Sequence, residues 1–156
     1  MEKENNISIH HFFTDPIFVT PQPESFLEDA VGNNKKKVLV ICQDPKQQTE
    51  LLDFLKKILA AIHLDIDHDI SLLKAKKGNL YSFVGARRNI TFDKMLVFGL
   101  RAADLGLNIK DQPYKIINIE NCKLLFSDEL ATITRDKKLK GALWSSLQLL
   151  FKKETV

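Results

Sequence analysis

KVLVICQDPKQQ (Lys37–Gln48) is a β-branched apolar run that stops abruptly on Gln-Asp-Pro. The five residues Val38–Cys42 are all apolar, which suits a strand buried on both faces, because a strand with one wet face alternates apolar and polar. Immediately afterwards the period changes. Leu51, Leu55, Ile58 and Ile62 recur at helical spacing within Lys46–His63. A doubly buried strand feeding an amphipathic helix is the opening unit of a parallel α/β sheet.

The alternation continues down the chain. A polar connection, His63–Asp69, leads to a strand at Ile70–Leu73, and Met95–Phe98 (MLVF) reads as a third. Leu100–Leu105 suggests a short helix stopped by Gly106, and Lys115–Ile119 and Lys123–Phe126 are two further strand-like runs. Asn79–Phe83 and Gly85–Asn89 fit neither period. The closing element, Asp136–Lys152, carries Leu139, Leu143, Leu147 and Leu150 on one stripe, with Ala142 and Ser146 beside it. The expected fold is therefore α/β, a three-layer α/β/α domain around a mostly parallel sheet of four or five strands.

Residues 1–23 read differently. Three prolines interrupt them, no long period appears, and Phe12, Phe13, Ile17 and Phe18 form an apolar cluster. They read as an extended arm ahead of a single domain over 24–156, with a short helix expected over Ser25–Val31 before the turn residues GNNKK.

Composition narrows the function classes. The chain has 156 residues, 44% of them apolar, which suffices for one buried core. Its net charge of +3, from 23 basic and 20 acidic residues, is too small an excess to imply nucleic-acid binding by itself. The two cysteines, Cys42 and Cys122, sit in or beside apolar runs and match no zinc or CxxC spacing. The polar start MEKENN lacks a signal-peptide core, and no run approaches the ~18 apolar residues of a membrane span. A reduced cytoplasmic location is expected. No GxGxxG or Walker glycines appear, so no nucleotide cofactor is assigned.

Three local constellations invite chemistry. His63, Asp65, Asp67, His68 and Asp69 could approach a metal, but one contiguous polar connector is a poor ligand set without supports from separate elements, and no metal is assigned. Arg87 and Arg88 could hold an anion or a nucleic-acid phosphate, with Tyr81 or Phe83 stacking a base. Trp144 lies beside the leucine stripe in line with Leu147, Gln148 and Phe151. A core or half-buried place against the sheet is the expectation for it, whereas exposure together with Phe151 would mark a partner surface.

The Gln-Asp-Pro corner has two readings. Asp44 as an N-cap, Pro45 at the first helical position and Gln47 beyond would begin a helix. Alternatively, KVLVICQDP resembles the strand and water-activating loop of uracil-DNA glycosylases, which implies that Asp44 polarises the attacking water. The segment Lys123–Phe151 likewise resembles that superfamily's closing strand, loop and basic C-terminal helix, with Lys140, Trp144 and Leu147 in the helix pattern. The loop departs from it. Ser127-Asp128-Glu129 stands where a His-Pro-Ser loop would supply the histidine that stabilises the departing base. Losing one such donor costs about 10²–10³ in rate, and the two acids in its place repel DNA phosphates. The glycine-containing loop and stacking aromatic expected after the aspartate for a flipped base are also missing.

An arm, an apolar strand, a helix and the C-terminal pattern of Leu125, Leu130, Lys140, Leu143, Trp144 and Leu147 also resemble the psi-subunit family of bacterial DNA polymerase III. Members have a glycosylase-like fold without the glycosylase site. The resemblance implies a non-catalytic subunit that bridges the clamp loader to a chi-like subunit and, through it, to single-strand binding protein, so that DNA contact is indirect or weak. It implies an arm that docks on the clamp loader, here through Phe12, Phe13, Ile17 and Phe18. This arm lacks the Trp and basic residues usual before a proline in that family, and an arm folded back on its own domain remains the alternative. So do two other functions: a divergent glycosylase using Asp44, and a binding protein for a small anionic ligand held by Arg87 and Arg88.

Overall fold

A computed structural model describes residues 30–43, 48–76 and 81–152. Five strands form one sheet in the order β2-β1-β3-β5-β4: β1 Val38–Gln43, β2 Ile70–Ala75, β3 Lys94–Phe98, β4 Ile116–Ile119 and β5 Cys122–Ser127. β1, β2, β3 and β5 run parallel, and β4 pairs antiparallel with β5 through a tight hairpin. The helices are α1 Thr49–Ala61, α2 Phe83–Asn89, α3 Leu130–Arg135 and α4 Lys137–Leu150, with a 3₁₀ turn at Ala102–Leu105. The expected α/β class and mostly parallel sheet of four or five strands are what the chain forms, with five strands among the described residues.

The continuous apolar runs follow from the layering. Alternate residues of one strand face opposite sides of a sheet. Val38, Val40 and Cys42 of β1 pack with Leu55 and Leu59 of α1, with Leu130 and Ile133 of α3, and with Leu143, Leu147 and Leu150 of α4. Leu39 and Ile41 pack on the other side with Phe83 and Ala86 of α2, with Phe92, and with Ala102 and Leu105 of the 3₁₀ turn. Helices therefore cover both faces of β1, and no polar residue could occupy its interior.

Several boundaries differ from expectation. α1 starts at Thr49 with Gln48 before it and no side-chain cap, so it does not begin on Asp44 and Pro45. A cap contributes about 1 kcal/mol, too little to extend the helix by a turn when its apolar stripe begins only at Leu51. Val31, expected at the end of a short helix, instead makes an isolated antiparallel bridge to Leu72 on the outer edge of β2. Gly85–Asn89 belongs to α2, whose start is fixed by Ser82 accepting a hydrogen bond from the Gly85 amide at 3.0 Å. α3 was hidden because its six residues are too few to show a period. α4 matches closely, with Asp136 as its N-cap accepting from the Lys138 and Leu139 amides at 2.8 and 3.3 Å.

Among the described residues no helix is long and apolar enough to cross a membrane. Both cysteines are buried, and burial pushes the Cys122 thiol up to about 11. Thiolate, not thiol, reacts with disulfide reagents. Ellman's reagent in mildly alkaline buffer is therefore expected to leave both thiols of the native chain unmodified and to titrate both in denaturant. Rapid labelling of the native chain would show that the strands around Cys42 and Cys122 open.

Candidate functional site

In an open α/β sheet, ligands bind beyond the carboxyl ends of the strands where the strand order reverses. Here the chain leaves β1 for β2 on one side, then returns across β1 to β3, so the reversal lies between β1 and β3. β1 ends on Gln43, β3 on Phe98–Gly99 and β5 on Ser127–Asp128. A crevice of about 400 Å³ opens one strand over, at the carboxyl ends of β3 and β5, between Gly99–Arg101, Asp111–Pro113, Phe126–Glu129 and Thr132. Beside it, Gln43 Nε2 donates to the Gly99 carbonyl at 3.4 Å. Gly99 has φ +84, and a Cβ there would meet the Glu129 Cβ at 3.0 Å, so the β3–β5 junction closes tightly only around glycine.

The crevice is acidic. Asp111, Asp128 and Glu129 line it, and Arg101 is the one cation among the described residues that do. Asp111 Oδ1 accepts from the Ala102 amide at 3.1 Å, and Asp128 Oδ2 accepts from the Tyr114 hydroxyl at 2.6 Å. Ser127, at the position where the glycosylase pattern has histidine, turns its hydroxyl inward to the Val97 carbonyl at 3.1 Å and is buried. Asp44 lies outside the described residues, as do Phe12, Phe13, Ile17 and Phe18.

His63 and His68 sit at the other end of the sheet. His63 follows α1, and His68 precedes β2, whose first residue Ile70 pairs with Val38. A six-residue strand spans about 17 Å, so neither imidazole reaches the crevice. HLDIDHD is not extended, as an alternating ligand face would require, but turned on itself. Asp65 Oδ1 accepts from the Asp67 and His68 amides, each at 2.9 Å, and lies 2.7 Å from His68 Nδ1. The His68 ring bond and those amides hold the Asp65 carboxyl below its ordinary value. No His, Cys, Asp and Glu cluster with metal-site geometry occurs among the described residues.

The arginine pair divides. Arg87 Nη1 donates to the Phe92 carbonyl and its guanidinium lies 5.3 Å from the Phe92 ring centroid, whereas Arg88 is exposed. Tyr81 and Phe83 are buried, so neither offers a face to a base, and Phe83 meets Phe92 edge to face at 6.1 Å. The aromatic cluster that sequence placed beside the arginines is core.

Sequence reading missed Tyr114. It has φ +63, its amide donates to the Phe126 carbonyl at 2.8 Å, and its carbonyl accepts from the buried Ser146 hydroxyl of α4 at 2.6 Å. One residue thus ties β5, α4 and the Asp128 wall together, through partners 12 to 32 positions distant that no local pattern reveals. Burial, followed by the bond to Asp128, pushes the Tyr114 phenol up from 10.0 to about 12. The folded chain holds this proton more tightly than the unfolded chain, so the contribution is complete below pH 10 and is lost as pH rises from 10 towards 12. Tyr114→Phe is expected to cost about 1 kcal/mol at neutral pH and to remove the component near pH 12 from a phenolate absorbance titration. If the component removed by the substitution titrates near 10 instead, Tyr114 is neither buried nor bonded to Asp128 as described.

A second feature lies at the amino edge. Trp144 is 42% exposed and Leu149 66% exposed on the outer side of α4. Together with Ala61–His63 from the end of α1, and with Leu147, Gln148, Phe151 and Lys152, they line a groove of about 750 Å³. Lys94, at the start of β3, places its ammonium 5.8 Å from the Phe151 ring, which fixes this end of α4 over the amino ends of the strands. Trp144 is exposed rather than part of the face of α4 turned to the sheet, while Phe151 is partly buried against the core. Leu143 and Leu147 already fill that face, and the next position in sequence rotates about 100° away from it. Leu149 was recognisable in advance as a leucine outside the stripe. No protein-family model matches the chain, and no curated protein matches it in sequence.

Proposed function

We propose that the chain is a non-catalytic protein-interaction subunit of the DNA replication machinery, resembling the psi subunit of DNA polymerase III, and that it joins a clamp loader to a chi-like subunit in the cytoplasm. One observation carries the reading: the crevice that would house base excision presents a hydroxyl bonded into the sheet at Ser127 and carboxylates at Asp128 and Glu129. A departing uracil anion needs hydrogen-bond donors aimed at its oxygen, and DNA needs cations for its phosphates. The side chains at the end of β5 offer the reverse. The exposed apolar residues of α4 support an interaction role, because hot spots centre on large rings and their aliphatic neighbours.

Two measurements test it. Single-turnover incubation with uracil-containing single-stranded DNA is expected to release no base above the uncatalysed level, and Asp44→Asn is expected to behave identically. Co-expression with the clamp-loader subunits and the chi-like protein of the same genome is expected to yield one co-purifying assembly. Deleting residues 1–23, or changing Phe12, Phe13, Ile17 and Phe18 to Ala, is expected to remove the clamp loader from it. Base release abolished by Asp44→Asn, or recovery of the chain without either partner, defeats the proposal.

A further inference from the structure

The α1–α4 groove has a chemistry that the proposed bridging role does not specify. Lys140, Trp144 and Gln148 follow one another at i, i+4 spacing along α4, with the Lys140 ammonium 5.9 Å from the Phe54 ring of α1, and Lys152 lies just past the helix end on the groove. Lys140, Trp144, Gln148 and Lys152 are all exposed. The groove is floored by Ile62 and Leu147 and walled by Leu149.

Charge selects the occupant. α4 contains no Asp or Glu between Lys137 and Leu150, and Lys137, Lys138 and Lys140 crowd its first four positions. Cations at a helix N-terminus oppose the helix dipole, so this placement is not explained by helix stability. Asp136 caps two amides there and is the one nearby carboxylate on this element. Among the described residues that line the groove, none is acidic, and the ionisable ones are His63 and Lys152.

We infer that this groove docks an acidic, leucine- or aromatic-anchored helical segment of a protein partner. The inference rests on the reading of the chain as an interaction subunit and names the chemistry of one surface it uses. Leucines or rings of the segment enter beside Trp144 and Leu149, while its carboxylates meet Lys140 and Lys152, the helix-in-groove mode with a charged rim. A second copy of this chain is a poor occupant, because a two-fold contact sets the same patch against itself and would set lysine against lysine. Nucleic acid is also disfavoured, because the groove interior is aliphatic and only its rim is cationic.

Trp144 is the sole tryptophan and reports directly on the groove. The full chain is titrated with three probes: a helical peptide with leucines on one face and flanking glutamates, the same peptide with lysine for every glutamate, and an oligo-dT of equal charge. The glutamate peptide is expected to shift Trp144 emission to shorter wavelength and to bind at least about tenfold tighter than either other probe, with affinity falling as salt rises. Lys140→Glu with Lys152→Glu is expected to invert the preference between the peptides, and Leu149→Ser to weaken binding about tenfold. These residues are exposed, and unchanged circular dichroism checks that each variant folds. Equal binding of the two peptides, tighter binding of oligo-dT, no binding of the glutamate peptide, or indifference to the double reversal each overturns the inference. Co-purification with the clamp loader and chi-like subunit is measured on the same variants. Partners retained by a variant that has lost peptide binding sink the groove alone, whereas partners absent from the unaltered chain sink the bridging role.

Discussion

Phe98→Ala is expected to lower stability by about 3–5 kcal/mol, the range for deleting a fully buried ring. Phe98 is 1% exposed and closes β3, the central strand, where it pairs in register with Cys42 of β1 and Ser127 of β5. Its ring packs in the cluster formed with α1, α3 and α4. With a urea dependence of about 2 kcal/mol per molar, the unfolding midpoint falls by about 2 M. Total stability of a single domain is about 5–15 kcal/mol, so the variant sits near the threshold of folding. Phe98→Leu keeps most of the volume and is expected to lose less than half as much. A fall under about 1 kcal/mol for the alanine variant, measured by urea titration, would show that the ring is not packed beneath the crevice.

That result bears on function because Phe98 lies directly before Gly99, where Gln43 and Glu129 converge. A cavity opened there loosens the ends of β1, β3 and β5 together. In an enzyme, such loosening would first appear as lost activity. In an interaction subunit whose contact surfaces lie on the arm and on α4, partner capture is expected to persist as long as the domain stays folded.

The architecture was legible where burial is two-sided or strictly periodic. VLVIC, MLVF and KLLF read as strands because such short, wholly apolar runs suit a strand buried on both faces. The leucines of α4 fixed a long helix in the same way. What stayed hidden depends on distant partners. The polar connector at His63–Asp69 became a turn because Asp65 caps its own neighbours. Arg87 looked like an anion ligand until the backbone brought the Phe92 carbonyl and ring beneath it. The acids at Asp128 and Glu129 were visible in sequence, but their consequence depends on the topology that places them at the carboxyl edge and His63 and His68 at the opposite one.

The segment just ahead of β1 gives the second large effect. Val31 exchanges both backbone hydrogen bonds with Leu72, at 2.9 and 2.7 Å, on the outer edge of β2. The chain then turns at Gly32, and the amides of Asn33, Asn34, Lys35 and Lys36 donate to the carbonyls of Asp67, Ile70, His68 and Asp69. Gly32 has φ +111, beyond the left-handed region that other residues visit, and a Cβ there would stand 2.3 Å from the Ile70 carbonyl oxygen. That oxygen belongs to a strand paired with β1 and cannot move aside cheaply. Gly32→Ala is expected to cost about 2–4 kcal/mol, the strain of the conformation plus the clash. The chain can escape part of this by detaching residues 31–36 from β2, which exposes their amides. Hydrogen exchange therefore decides the outcome: faster exchange at Val31, Asn33 and Leu72 with a lower urea midpoint confirms the lacing, whereas protected amides and an unchanged midpoint refute it.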